Sequence, residues 1–330
     1  MILLAALFAL QPERLVNLSA QDAARRMHDM RATWTTASDW TRRARRIRVS
    51  IWNTLDLPAF DPEWQRMTSS DARGPLDATI TDTRTYDGYV VEDVSFRTFD
   101  GSRLAGNLYR PASGETGPGF LCPHGHFGAT ADDPEGRFRR DMQLRCATLA
   151  RMGAVVFTWD MVGWGESDLA DHHVPEALPM QTWNSVRAVD YLLSRSDVDP
   201  DRIGVTGASG GGSQSFLISA LDRRVSLCVP CVMVSSHFFG GCECETGLPL
   251  HSGVATNNVE VASIAAPDPL LLISCGGDWT SNTPEIEYPA IQEIYEVLGH
   301  PERVENAHFA SEQHDYGPNK RQALYAFVGT

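Results

Sequence analysis

Arg202-Ile-Gly-Val-Thr-Gly-Ala-Ser-Gly-Gly-Gly212 decides how the rest of this 330-residue chain is read. Ile203, Val205 and their neighbours form a short β-branched run of the kind that fills a buried strand. The run stops at Gly207-Ala-Ser-Gly-Gly211, and a helix-compatible stretch, Ser213 to Leu221, follows. G-x-S-x-G between strand and helix is a nucleophile elbow, a sharp turn that lifts a serine hydroxyl clear of a sheet. So tight a turn strains the serine backbone and demands small neighbours, which Gly207 and Gly211 supply. The helix N-terminus behind Ser209 favours negative charge developing there. A phosphate-binding loop is the competing reading, but neither G-K-[ST] nor G-x-G-x-x-G follows.

The same strand–helix rhythm extends outward from the elbow. Upstream, Gly119 to Gly128 reads as a buried strand ending in a glycine-flanked histidine loop. A helix over about 135–152, a strand over 154–160, the tight loop Asp160-Met-Val-Gly-Trp-Gly-Glu-Ser167 and a helix over about 180–194 then lead to Ser209. Downstream come strands over 225–234, 269–275 and 303–309 with helices near 285–298 and 319–328. Residues 88–111 switch to period two and read as an antiparallel hairpin. A leading hairpin followed by alternating strands and helices predicts an α/β domain over 81–330, with a mostly parallel central sheet and helices on both faces. Residues 235–258 are too long for a bare connection and read as a lid-like insertion.

Residues 1–80 read as an N-terminal helical extension that Trp34, Trp40, Trp52 and Trp64 pin to the main domain. Its basic stretch, Arg42 to Arg48, reads as a solvated helix face. Met1 to Leu10 is wholly apolar but too short to span a membrane. Its length suits the core of a signal peptide, yet the basic start and cleavage site are missing, and a hydrophobic first helical turn fits equally. Localisation, cytoplasmic or exported, stays open.

A hydrophobic fraction of 42% and a charged fraction of 21% are ordinary for a globular protein. The formal charge of −14 argues against nucleic acid or an anionic membrane as partner. Lys320 is the only lysine. Seven cysteines scattered over so long a chain do not make a disulfide framework. Cys242-Glu-Cys244, flanked by His237 and His251, admits a metal site, but a loop disulfide or free thiols is the preferred reading. No metal ligand and no cofactor is assigned.

A serine hydroxyl needs a base to activate it and an acid to orient that base. In elbow folds the chain order is serine, acid, histidine. Asp278 lies just past the apolar run ending at Cys275, whereas Asp268 precedes that run and belongs to its opposite end. Of the later histidines, His300 ends a helix and His308 lies within a strand; His314 alone occupies the loop after the last strand. The oxyanion hole calls for the N–H of Gly210 and one from the His124–Gly128 loop, assigned to His126. Trp164, Trp279, Phe127 and His237 are the candidates for substrate contact.

Pro123-His-Gly-His-Phe-Gly128, Asp160 to Ser167, Gly204-Val-Thr-Gly-Ala-Ser-Gly-Gly-Gly212, Gly277-Asp-Trp-Thr280 and Glu312-Gln-His-Asp-Tyr-Gly317 together resemble the bacterial acetyl xylan esterase-like branch of the α/β-hydrolase superfamily, a relative of dienelactone hydrolases. The resemblance implies cofactor-free hydrolysis of short-acyl esters, above all acetyl esters of carbohydrates. Ser209, Asp278 and His314 would form the triad, and the substrate would be a small-molecule or oligosaccharide ester. Three alternatives are a dienelactone-hydrolase-like enzyme on a non-sugar ester, a serine peptidase of the prolyl-oligopeptidase kind and a catalytically dead binding protein. No propeller repeats precede the domain, which weighs against the peptidase.

Overall fold

Leu270, Leu271, Leu272 and Ile273 alternate between two cores, one on each face of a single sheet, because successive side chains of a strand point to opposite sides. The computed structural model describes residues 18–57, 73–98, 101–126, 136–167, 169–242, 244–245 and 254–329. Its strands are β1 (Thr79–Tyr86), β2 (Tyr89–Arg97), β3 (Arg103–Pro111), β4 (Gly117–Leu121), β5 (Val155–Trp159), β6 (Val198–Ala208), β7 (Leu227–Cys231), β8 (Leu270–Cys275) and β9 (Val304–Phe309). They form one sheet in the order β1-β2-β3-β5-β4-β6-β7-β8-β9. β1, β2, β3 and β5 pair antiparallel in succession, and every pairing from β5 through β4 to β9 is parallel.

The helices are α1 (Ala20–Arg31), α2 (Ala37–Thr54), α3 (Arg140–Arg151), α4 (Ala177–Leu193), α5 (Gly210–Leu221), α6 (Asn258–Ser263), α7 (Glu287–Val297) and α8 (Pro318–Val328). Side chains of α1, α2, α4, α5, α6 and α7 build one core with Leu121, Phe157, Ile203 and Val205. Those of α3 and α8 build the other with Phe120, Val156, Val229 and Ile273. This is the α/β-hydrolase arrangement expected from the sequence. Among the described residues no helix is long and apolar enough to cross a membrane.

Two features differ from the sequence reading. β1 is an additional edge strand, and all eight of its residues are exposed. Its Arg84 pairs with Asp82 and with Asp93 of β2, charges that discourage further strand addition. The basic stretch of α2 is not simply a solvated face. Arg43 donates to the buried Glu260 carboxylate of α6 at 2.7 Å, and the buried Arg48 donates to the Ala220 carbonyl of α5 at 2.8 Å. Trp34, Trp40 and Trp52 are buried as well. Ser19 and Thr36 start α1 and α2 by accepting the N–H of Asp22 and of Asp39 on their hydroxyls. Trp64 and residues 1–10 lie outside the described residues.

The parallel strands all end at the same edge of the sheet. Beyond their carboxyl ends lie His124–His126 (after β4), Asp160–Trp164 (after β5), Ser209 (after β6), Asp278 (after β8) and His314 (after β9).

Candidate active site

Ser209 occupies φ 55°, ψ −124°, a conformation that L-residues rarely adopt. Its N–H donates to the Cys231 carbonyl at 3.1 Å, and α5 begins at the next residue. A Cβ on Gly211 would lie 2.3 Å from the Pro123 carbonyl oxygen. One on Gly125 would lie 2.4 Å from the Ala208 carbonyl oxygen. Glycine at these two places lets the loop after β4 press directly against the elbow, bringing Gly125 and His126 beside Ser209 and Gly210.

Asp278 and His314 meet across the ends of β8 and β9. His314 Nδ1 lies 2.6 Å from Asp278 Oδ2. Oδ1 of the same carboxylate accepts both the N–H and the hydroxyl of Thr280, each at 2.6 Å. Burial would raise the pKa of Asp278, but the hydrogen bonds from His314 and Thr280 outweigh it and hold the carboxyl below its usual range. Ser209 and His314 line one cavity of about 730 Å³, together with His126, Trp164, Phe238 and Trp279. Trp279 stacks on Phe238 at 3.9 Å between centroids and lies 4.4 Å from the His314 ring. The other sequence candidates sit elsewhere. His308 bonds Ser274 within the sheet, and Asp315 and Glu312 hold the buried Lys320 ammonium.

The loops carrying these groups are braced from behind. Burial lowers the pKa of His124 to about 3, so the ring is neutral; its Nε2 accepts the Met161 N–H at 3.0 Å. Asp160 accepts the Glu166 N–H at 2.9 Å and the Arg137 N–H at 3.1 Å, and also pairs with the Arg137 guanidinium. The turn at Asp160–Glu166 thus wraps around a single carboxylate and delivers Trp164 to the cavity.

His126 is tied down through its side chain. Its Nδ1 lies 2.7 Å from Glu245 Oε1, and its ring meets His172, Cys242 and Cys244 in the cavity wall. Sequence reasoning singled out neither His172 nor Glu245; no local motif marks them, and only the fold brings them to this place. Burial would lower the pKa of His126, but hydrogen bonds to Cys242 and Glu245 lift it to about 9. Of the two readings left open for Cys242 and Cys244, a loop disulfide or free thiols, the structure has the second, and all seven cysteines are free. His237, expected at the substrate, instead shares a separate groove with Ala20, Met27 and His28 of α1, and its carbonyl accepts the Leu18 N–H. Its ring bonds Ser235 rather than the cysteines, while the next residue, Phe238, lines the cavity. Phe127 and His251 lie outside the described residues.

The acetyl xylan esterase family (AXE1) matches residues 182–244, a stretch that contains the elbow. Among solved structures, methylesterase BT1017 is 35% identical with a TM-score of 0.84, covering 95% of this chain and 68% of that one. YtaP of Bacillus subtilis is 48% identical over 59 residues, which are 18% of this chain and 20% of that protein. The 4-O-methyl-glucuronoyl methylesterase of Podospora anserina is 25% identical over 203 residues, 59% of this chain and 37% of that protein. The matches thus span well under half the length of these two curated relatives.

Proposed function

The chain belongs to the α/β-hydrolase esterase family of methylesterase BT1017, and on that premise we propose that it hydrolyses carbohydrate esters through an acyl-enzyme on Ser209. The observation that carries the reading is the convergence of Ser209, held in a strained turn, with His314, whose far nitrogen is bound to the buried Asp278, on one cavity. His314 Nε2 takes the Ser209 proton as Oγ attacks the ester carbon. The Asp278 carboxylate fixes the Nδ1–H tautomer and balances the imidazolium that forms. The N–H groups of Gly210 and His126 face the developing oxyanion, a role worth about 10²–10³-fold in kcat per donor. The imidazolium then gives its proton to the leaving alcohol. Water, deprotonated by the same ring, cleaves the acyl-enzyme and restores Ser209.

Trp164, Trp279 and Phe238 give the cavity flat apolar walls of the kind that stack on a sugar ring. Acetyl esters are the leading substrate class, supported by the family match over residues 182–244. Methyl esters of sugar acids are the second reading, favoured by the likeness to methylesterase BT1017 over 95% of the chain. In the first the sugar leaves as the alcohol; in the second it is the acyl group and methanol leaves.

One experiment separates them. Wild type and Ser209→Ala are incubated with acetylated xylan and with a methyl-esterified polyuronide, and acetate and methanol are measured. Acetate lost in the variant supports the first reading, and methanol lost in the variant supports the second. Equal activity of variant and wild type overturns the role of Ser209.

A further inference from the structure

Four side chains that the proposed reaction does not use as acid, base or nucleophile converge in the wall of the cavity. His126 follows β4, His172 lies in the loop after β5, and Cys242 and Cys244 lie in the stretch after β7. One ring nitrogen from each histidine and both sulfurs lie within 4.8 Å of one another. Cys244 Sγ is 3.0 Å from His126 Nε2 and 3.1 Å from His172 Nε2, and the two Nε2 atoms also meet.

The outer nitrogens are held as well. His126 Nδ1 lies 2.7 Å from Glu245 Oε1, and Glu245 is fixed in turn by the Gly241 N–H at 2.7 Å. His172 Nδ1 lies 2.8 Å from the Val162 carbonyl oxygen and 3.1 Å from the Trp164 indole N–H. The first contact belongs to the tautomer with Nδ1–H and a free Nε2 lone pair, the second to the tautomer in which Nδ1 accepts, and a metal at Nε2 selects the first. A carboxylate behind one imidazole and a backbone carbonyl behind the other direct both Nε2 lone pairs toward the sulfurs. Histidine ligands of metals are oriented in this way.

We propose that His126, His172, Cys242 and Cys244 bind a zinc ion that clamps three loops around the cavity. Thiolate and imidazole donors select zinc over calcium or magnesium, which take oxygen ligands. On binding, both thiols and the His126 imidazolium, at its Nε2, release their protons to solvent, and four bonds form from two sulfurs and two nitrogens. The two thiolates neutralise the ion's charge within a largely buried site. All four positions are filled by protein, as in structural zinc sites, so no place is left for a catalytic water. The ion joins the loop after β4, the loop after β5 and the stretch that carries Glu245. It thereby fixes the backbone at His126, whose N–H faces the oxyanion in the proposed reaction. The site itself is inferred from its donor geometry and stands whether or not that reaction is correct.

The test is elemental analysis of the full chain, expressed with zinc supplied and then dialysed, alongside a cobalt(II) titration of the stripped protein. The expected result is about one zinc per chain and a thiolate-to-cobalt charge-transfer band. Both should be lost in Cys242→Ser/Cys244→Ser, and zinc affinity should fall about 10–100-fold in Glu245→Gln. Should the double variant fail to fold, the cobalt spectrum of the wild type still decides. Zinc below about a tenth of an equivalent together with no cobalt–thiolate band would overturn the site, whether the cysteines then prove to be free thiols or a Cys242–Cys244 disulfide. Labelling of Ser209 by a fluorophosphonate reports the nucleophile independently, so the two proposals can fail separately.

Discussion

Replacing Ser209 with glycine is expected to leave a more stable protein than replacing it with alanine, while both substitutions abolish activity. At φ 55° and ψ −124°, a residue with a Cβ carries about 1–3 kcal/mol of backbone strain. Alanine at this position keeps that strain, whereas glycine does not. Glycine has more freedom to lose on folding, which takes back about 0.5–1 kcal/mol relative to alanine. Both variants lack the hydroxyl, so comparing them removes its contribution from the difference. Ser209→Gly should therefore exceed Ser209→Ala in stability by about 1 kcal/mol, and by no more than about 2.5 kcal/mol. Urea unfolding measures the difference as a shift in midpoint at unchanged slope. Both variants should lose esterase activity by about 10⁶-fold, the scale of nucleophile removal in serine hydrolases. A glycine variant no more stable than the alanine variant would refute the claim that the elbow is strained.

Three further outcomes follow from the geometry. Asp278→Asn keeps the shape of the site but should lower kcat by about 10⁴-fold, because the amide cannot hold His314 in the required tautomer; an effect below tenfold in steady-state kinetics would remove Asp278 from the triad. Asp190 is buried against Arg73, Arg187 and Arg224, and Asp190→Ala should cost about 3–5 kcal/mol in urea unfolding by removing the buried carboxylate that these three guanidiniums share. Burial opposes ionisation of Asp190, but Arg73 and Arg224 hold its pKa below the usual carboxylate value. Its contribution is therefore fully present above the unfolded carboxyl's pKa and is lost as pH falls through the lower folded value. The variant should show a flatter acid limb in stability against pH, and identical limbs would contradict this. Gly211→Ala should destabilise by about 1–3 kcal/mol or more and depress activity, since its Cβ would sit 2.3 Å from the Pro123 carbonyl oxygen. Unchanged melting and rate would show that the elbow tolerates separation from the loop after β4.

The parts of the fold that were legible are those where burial imposes a pattern. Apolar runs such as Leu270–Cys275 fixed the inner strands, and the glycines around Ser209 betrayed a turn that only small residues permit. The common placement of Ser209, Asp278 and His314 was legible because each follows the carboxyl end of a parallel strand, so topology alone brings them to one edge. β1 escaped notice because an edge strand exposed on every residue needs no apolar alternation, and Thr79-Ile-Thr-Asp-Thr-Arg-Thr-Tyr86 has almost none. Arg43 and Arg48 were misjudged because a run of arginines looks equally solvated whether its guanidiniums reach water or, as here, Glu260 and the Ala220 carbonyl. His172 and Glu245 gave no signal, since their neighbours in space, Cys244 and His126, are distant from them or merely adjacent in an irregular loop. His237 stood close to Cys242 in the chain, but proximity along an irregular stretch carries no direction, and it turned toward α1.

Lys320, the one lysine of the chain, is fully buried and donates to Glu312, Asp315 and the Gln313 carbonyl, the loop that carries His314. No side-chain amine is therefore left on the surface. Acylating and aldehyde reagents, which tether most proteins to resins or to one another through lysine, will find no accessible lysine here. Every cationic side chain on the surface other than histidine is a guanidinium, which keeps its charge into strong alkali. Attachment through introduced lysines can consequently be placed at will, one site at a time, with the α-amine as the background to subtract.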